Sequence, residues 1–275
     1  MNDLIIIRGG GDIATGTICR LFNCGFKVII LETSKPSSIR RKVSFSEAIY
    51  DGECTVEDVR CKYATNVSQA YKLIENNIIP IMIDESCKIL NVVKPFVLID
   101  AILAKKNLGT NINMAPITIG LGPGFTAGLD VHAVIETMRG HDLGRIIYKG
   151  SAMKNTGTPG IIEGYGKERV LYSPSNGKIK NKCEIGNIVH EGQLIASIED
   201  INVYASFTGI LRGIIHDGYN VTKGLKIADI DPRINQYNNC FTISDKARCI
   251  SGSVVEAICK LENLKFTKYQ WRQML

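Results

Sequence analysis

The chain of 275 residues has no apolar run near the ~20 residues that cross a bilayer. Its longest, around Leu4 to Ile7 and Phe96 to Ile99, are strand-length, so no membrane partner is expected. It also lacks an opening basic region, apolar core and small-residue cleavage site, which leads to the expectation of a cytoplasmic protein. Nine cysteines, at positions 19, 24, 54, 61, 87, 183, 240, 249 and 259, include no C-x-x-C pair, which argues against both a zinc ribbon and a disulfide framework. Strong charge of one sign is missing too: 33 Lys and Arg against 27 Asp and Glu give +6. Nucleic-acid binders gather positive charge on one face or run. Here the densest groups are Arg40-Arg41-Lys42 and the spaced Lys178, Lys180 and Lys182, so no nucleic-acid partner is expected. These groups read as solvated surface or as a local pocket for an anion. There is no H-E-x-x-H and no glycine-flanked nucleophilic serine, and His132 and His141 have no second ligand at metal spacing. No metal site is expected.

What is present is an ordinary globular balance, 45% hydrophobic and 22% charged, enough for one or two domains. The chain begins with the apolar run Leu4 to Arg8, then Gly9-Gly10-Gly11-Asp12-Ile13-Ala14, then Ala14, Ile18, Leu21 and Phe22 at helical spacing. A second apolar run, Lys27 to Leu31, ends at Glu32. Strand, tight turn, helix and second strand with an acidic end match the G-x-G-x-x-G/A dinucleotide pattern in context. Gly9 permits the turn, Gly11 leaves room for a phosphate, and Ala14 lets the helix approach the strand. Glu32 could receive a ribose hydroxyl. The bland alternative is a turn that binds nothing, and Asp12, placed to cap the helix and repel a pyrophosphate, leans that way.

Residues 33–64 have poor periodicity and read as a lid or an edge excursion. Val67, Ala70, Tyr71 and Ile74 form a helical stripe, and Ile78 to Ile83 a strand in which Pro80 marks an edge or a strand start. Pro95 to Asp100 reads as a buried strand, followed by a short helix over Ala101 to Lys106. A second glycine turn, Gly120-Leu121-Gly122-Pro123-Gly124-Phe125, follows strand Ile117 to Gly120. After it the spacing of Val131, Val134, Ile135 and Met138 predicts a helix capped by Asp130. Two such turns at the carboxyl ends of parallel strands could share one ligand cleft. The loop Gly150 to Gly160 adds donors at Lys154, Asn155 and Thr156.

The second half repeats itself. A shift of 32 residues places Gly177 on Gly209, Gly186 on Gly218, Gly192 on Gly224, Ile179 on Leu211, Val189 on Val221 and Ile195 on Ile227. Short apolar strands alternate with glycine turns in each copy, predicting two interlocked β motifs about an approximate twofold axis. This resembles the barrel-sandwich hybrid of biotinyl and lipoyl carrier domains. Carriers present a lysine at the hairpin joining the halves; here that junction is Glu199-Asp200-Ile201-Asn202-Val203. Neither biotin nor lipoate is expected, and the unit reads as a docking or structural module. Ala247, Ile250, Val254, Ile258 and Leu261 then form a helix that packs back on the first half, with Lys265 to Leu275 frayed. The expected fold is α/β: a Rossmann-like, mostly parallel sheet domain over 1–160, an all-β barrel-sandwich hybrid over 168–233, and a C-terminal helix over 244–264.

A family resemblance is carried by Asp100 to Thr110, Gly120 to Asp130, Val134 to Arg145, and Asn155-Thr156-Gly157-Thr158-Pro159-Gly160. These segments resemble the YqeB-type family, whose members are called selenium-dependent molybdenum hydroxylase system proteins. Arg40 to Ala48 adds a likeness to the XdhC/CoxI accessory proteins of xanthine and carbon monoxide dehydrogenases. The resemblance implies a maturation factor that binds or delivers molybdenum cofactor, a pterin or its nucleotide form, to a molybdenum hydroxylase client; the selenium step is implied by the family alone.

The residues expected to hold such a small anion are Gly9, Gly10, Gly11, Asp12, Ile13, Ala14, Glu32, Arg41, Asp100, Gly122, Pro123, Gly124, Phe125, Arg139, Asn155 and Thr156. Arg41, Arg139 and Arg145 suit bidentate recognition of phosphate or carboxylate, although surface ion pairs are their commoner fate. A selenium or sulfur route would need an accessible thiolate, for which Cys54 and Cys61 are better placed than Cys87 beside Asp84 and Glu85. The competing reading is an NAD(P)-dependent oxidoreductase with Glu32 on the ribose; a scaffold with no ligand is a third. Self-association into a homo-oligomer stays open.

Overall fold

The structure, a computed structural model, describes residues 3–157 and 160–273. The opening apolar runs become strands because both faces of each are covered. β1 (Leu4–Arg8) is buried throughout, and α1 (Asp12–Asn23) lays Ala14, Ile18 and Leu21 against it before the chain returns as β2 (Lys27–Glu32). The irregular segment then forms a short helix, α2 (Ala48–Asp51), and a hairpin of β3 (Glu53–Val56) and β4 (Val59–Tyr63) at the sheet margin. α3 (Val67–Glu75) starts where Asn66 Oδ1 accepts from the Gln69 amide at 2.9 Å. There follow β5 (Ile79–Ile83), β6 (Val97–Asp100), β7 (Ile117–Leu121), β8 (Thr126–Ala127), β9 (Ala133–Ile135), β10 (Ile146–Ile147) and β11 (Gly150–Ser151).

Among the described residues nine strands form one sheet, in the order β10-β9-β7-β6-β1-β2-β5-β4-β3, and only the two outermost pairings, β9 with β10 and β3 with β4, are antiparallel. From β1 the chain builds outward on one side through β2 and β5, then crosses to β6 and builds outward on the other. Strand order therefore diverges between β1 and β6, and in open α/β sheets ligands bind at the carboxyl ends of strands at such a point. Pro80 takes the strand-start position of its two options: β5 is interior, flanked by β2 and β4.

Two expected helices are absent. Residues 101–106 form an irregular turn in which Leu103 and Lys105 take positive φ, 59° and 64°, which a helix does not admit. After the second glycine turn Asp130 does not cap a helix; its Oδ2 accepts from the Thr126 amide at 2.8 Å, closing a turn that leads into β9. Val131, Ala133, Val134 and Ile135 are all fully buried, so apolar residues appear at every spacing and the period is ambiguous. His132 thus lies in an extended segment, its Nδ1 accepting from the Thr118 amide at 3.0 Å.

The second half comprises β12 (Val170–Tyr172), β13 (Gly177–Asn181), β14 (Ile188–Val189), β15 (Leu194–Ile198), β16 (Ile201–Tyr204), β17 (Gly209–Ile214), β18 (Asn220–Val221) and β19 (Lys226–Asp231). The 32-residue offset reappears in the strands: β13, β14 and β15 begin that far before β17, β18 and β19. The two four-stranded sheets, β12-β19-β17-β14 and β16-β15-β13-β18, carry equivalent strands in equivalent places and enclose a separate apolar core. The junction Glu199-Asp200 is the turn of the β15–β16 hairpin, and Glu199 Oε1 accepts from the Lys178 amide at 2.7 Å. α4 (Asp245–Gln273) packs Ala247, Ile250, Val254 and Ile258 into the same core as α1, and runs on through much of the end expected to fray.

The β unit sits against residues 39–50. Arg41 Nε donates to the Ile214 carbonyl at 2.7 Å, Arg41 Nη1 and His216 Nδ1 both meet Glu47 Oε2 (2.9 and 3.2 Å), and Tyr50 stacks on His216 with ring centroids 3.9 Å apart. Gly213 is required at this contact, since a Cβ there would lie 2.8 Å from the Ile39 carbonyl oxygen. Gly213→Val is expected to cost about 1–3 kcal/mol through overpacking, measured by urea unfolding; a stability equal to wild type would show that this contact is loose.

Candidate functional site

The first glycine turn is held from inside. Gly9 has φ 95°, and its amide donates to the Leu31 carbonyl at 2.8 Å. The Gly10 amide donates to Glu32 Oε2 at 2.7 Å, while Glu32 Oε1 accepts from the Thr33 amide at 2.8 Å. Burial raises the Glu32 pKa, the two amide bonds pull it back, and the nearby Glu85 charge adds to the rise. Glu32 therefore buttresses the turn. Ala14 is fully buried, consistent with close helix–strand approach. Asp12 does not cap α1: Gly11 is the N-cap with no side-chain cap bond, and Asp12 Oδ2 is 3.3 Å from Arg40 Nη1. The first-turn amides of a helix have no intrahelical acceptor, and with Asp12 paired its charge opposes an anion less.

A cavity of about 570 Å³ opens beside this turn at the carboxyl ends of β1 and β6. Gly9, Gly11, Asp12, Ile13 and Glu32 line it, with Ser37 and Ser38 on one side and Ala101 to Leu103 on another. Lys226, the exposed first residue of β19, lines it from the β unit. Lys226 also lines a second cavity, of about 510 Å³, with Lys105, Pro123, Arg139, Asn155, Thr156 and Lys246. The structure thus brings the first glycine turn, part of the second and the Asn155 loop to neighbouring cavities that share one lysine. The Lys226 ammonium has no hydrogen-bond or ion-pair partner among the described residues. Lys246 is half-buried, its pKa lowered by burial and then by Arg139, with Asp12, Glu136 and Asp245 opposing. A cleft lined by like charges of this kind attracts anions.

Other expected residues are engaged elsewhere. Asp100 is buried in an ion pair with Arg8 (3.2 Å), accepts from Thr110 Oγ1 at 2.6 Å, and pins the turn after β6 through the Ile102 amide. Arg8 also donates to the Glu85 and Leu108 carbonyls, so this pair fixes loops around the cavity. Arg41 serves the docking contact. Phe125 is core, its ring lying where a Cβ on Gly120 would be; the Gly122 amide donates to the Ile135 carbonyl at 2.9 Å, and Gly124 abuts the Lys106 backbone. Arg139 makes a bidentate pair with Asp245 (3.1 Å twice) beside the second cavity. Thr158 and Pro159 of the loop motif lie outside the described residues.

Cys19, Cys61 and Cys87 are buried and poorly suited to nucleophilic chemistry, whereas Cys54 is half-buried. Cys61 is fully buried and its thiol is pushed well up by desolvation and by Cys54, which lies opposite it across the β3–β4 pair. Burial raises Cys87 too, and takes Cys19 to about 12. Among the described residues no group of three or more His, Cys, Asp or Glu could hold a metal ion, and no helix is long and apolar enough to cross a membrane.

Sequence reasoning missed Lys226 and Lys246. For Lys226 a signal existed: in the 32-residue repeat it aligns with Leu194, a lysine where the other copy carries an apolar residue.

No family model matches the chain. The chain is similar to the uncharacterized protein YqeB of Escherichia coli (strain K12). Identity is 49% over 269 residues, 97% of this chain and 50% of that protein, so the chain spans half the length of the curated relative it matches. Among solved structures, the apo ectoine utilization protein EutE (DoeB) of Ruegeria pomeroyi aligns at 11% identity over 82% of this chain and 85% of its own, with a TM-score of 0.25. A succinylglutamate desuccinylase from Silicibacter sp. TM1040 aligns at 12% over 83% and 84%, also with a TM-score of 0.25. At those scores the chain paths agree too little to inform fold or function.

Glu32→Gln leaves one of the two amides without its acceptor and is expected to destabilise by about 1–3 kcal/mol in urea unfolding; no change would show that the turn stands alone. Arg139 holds the Asp245 carboxyl at about 2, below the ordinary 3.8. A depressed carboxyl pKa stabilises the fold above the unfolded value, a contribution lost as pH falls toward 2. In Arg139→Met the Asp245 resonance should titrate near the ordinary carboxylate range by carbon-detected NMR; a midpoint still near 2 would assign the shift to other groups.

Proposed function

We propose that this chain holds an anionic pterin or pterin nucleotide, the molybdenum cofactor or its precursor, for delivery to a selenium-dependent molybdenum hydroxylase of the xanthine-dehydrogenase type in the cytoplasm. The sheet is read as a Rossmann-like domain over 1–160. The β unit over 168–233 is read as a barrel-sandwich hybrid that has exchanged the carrier's modifiable lysine for a role in closing the cleft and meeting the client. α4, over 244–264 in this reading, fastens the two together.

The observation that carries this reading is Lys226. A cation from the second half stands in the wall of the cavity beside the first glycine turn, where strand order diverges and first-turn amides are available to an anion. Lys105, Arg139 and Lys246 extend the positive lining into the adjoining cavity, so a ligand longer than a single phosphate meets cations along its length. The family resemblance supplies the client class. Its Arg40 to Ala48 segment, the part like XdhC/CoxI proteins, contains the residues that seat the β unit.

The oxidoreductase alternative needs Glu32 to receive a ribose. One Glu32 oxygen already accepts the Gly10 amide of the turn and the other the Thr33 amide, which favours holding over hydride chemistry.

Native mass spectrometry of the protein from cells making molybdenum cofactor is expected to find a pterin-type ligand. Gly11→Val, whose added side chain enters the cavity near Ser38, should lose it with the β unit still folded. A bound dinucleotide with reductase activity would replace this reading with the alternative.

A further inference from the structure

We infer that the seam between β17, β19 and the start of α4 is a second anion site, built for a dianionic oxyanion of phosphate type, with Arg212 as its central donor. The site goes beyond the pterin reading; it shares Lys226 with the cavity beside the first glycine turn, and both Lys226 and Arg139 with the adjoining one.

A cavity of about 520 Å³ lies at this seam. Five cationic side chains line it: Arg139, Arg169, Arg212, Lys226 and Arg233. Three carboxylates answer them, and each is taken. Asp229 faces Arg169 at 3.3 Å, and Arg169 also donates to the Ile230 and Gly160 carbonyls. Asp231 is gripped by Arg233 through Nε at 2.9 Å and Nη2 at 2.7 Å. Asp245 holds Arg139.

Arg212 is left over. Its side chain is 13% exposed, its Nε is buried without a hydrogen-bond partner, and its nearest carboxylate oxygen, on the occupied Asp231, is 3.9 Å away. None of its nitrogens makes a hydrogen bond within the described chain. A mostly buried guanidinium with five unused donors is costly unless something accepts from it. Arg40 sharpens the point: it too is buried with an unpartnered Nε, and its pKa is lowered by burial first and by the Arg212 charge next. Two buried arginines therefore raise the potential at one place, and the unpaired Lys226 adds to it. Two positive charges remain unanswered. A phosphate group carries about −1.5 to −2 at neutral pH and three acceptor oxygens, which suits a guanidinium fork beside a lysine point charge better than a single planar carboxylate does.

The phosphate group has two sources, free inorganic phosphate or the phosphate end of a longer ligand reaching past Lys226. Calorimetry with inorganic phosphate and with a ribonucleoside monophosphate, on wild type, Arg212→Met, Lys226→Met and Gly11→Val, separates them. Wild type is expected to bind phosphate at millimolar concentration or better, and Arg212→Met to bind at least about tenfold more weakly. Lys226→Met, at an exposed position, should weaken binding severalfold; because Lys226 also walls the cavity of the first glycine turn, it decides the matter, if Arg212→Met does not fold, together with unaltered phosphate binding in Gly11→Val. Phosphate binding unaltered by Gly11→Val identifies the free anion as ligand and stands even if no pterin is ever found. A nucleotide that binds at least about tenfold tighter than phosphate, and loses that advantage in Gly11→Val, identifies the longer ligand. No phosphate or nucleotide binding in wild type, or wild-type affinity in folded Arg212→Met or Lys226→Met, overturns the proposal.

Discussion

Arg40 and Arg41 join three parts of the chain that have no covalent reason to meet. The Arg40 guanidinium, 9% exposed, contacts Asp12 at the start of α1 and the carbonyls of Asn239 and Thr242 ahead of α4. Arg41 reaches the Ile214 carbonyl on β17 and, through Glu47, His216. The candidate cleft has one wall from the sheet and another from the β unit, so its width depends on this pair. The Arg41 bond to the Ile214 carbonyl and the Glu47 contact with His216 make the seam specific: sliding of the β unit would leave a mostly buried guanidinium without its acceptor.

Within the cleft a division of labour is visible. The glycine turn is shaped by internal acceptors, Leu31 and Glu32, so its form does not wait for a ligand. Charge comes from side chains added around it, Lys226 above all. Cys19, Cys61 and Cys87 are buried and their thiols raised, so what the turn presents to the cavity is fixed dipoles and cations.

Much of this was legible in the sequence where the signal is local. Leu4 to Arg8, the glycine turn, α1 and Lys27 to Glu32 announce themselves by spacing, and the 32-residue repeat foretold the paired strands of the second half. Local signals failed where burial is two-sided: Val131 to Ile135 is apolar on both faces, so its strand passed for a helix. They failed also where a partner is remote. Asp12 looks like a cap until Arg40 is folded beside it, and Glu32 looks like a ribose acceptor until one oxygen is found on the Gly10 amide 22 residues earlier and the other on the adjacent Thr33 amide. Lys226 lies more than 200 residues from the glycines whose cavity it walls, beyond the reach of any window on the sequence.

The twofold pattern of the β unit has a further consequence. Position for position, Lys226, Arg212, Asp229, Asp231 and Arg233 of the second copy stand against Leu194, Lys180, Ser197, Glu199 and Ile201 of the first. The backbone repeats, and so does part of the charge: Arg212 and Asp231 have Lys180 and Glu199 as counterparts, whereas Lys226, Asp229 and Arg233 stand against Leu194, Ser197 and Ile201. The three positions that differ all line the groove. Repetition thus supplies the frame, and three changes confined to one copy supply the groove's character.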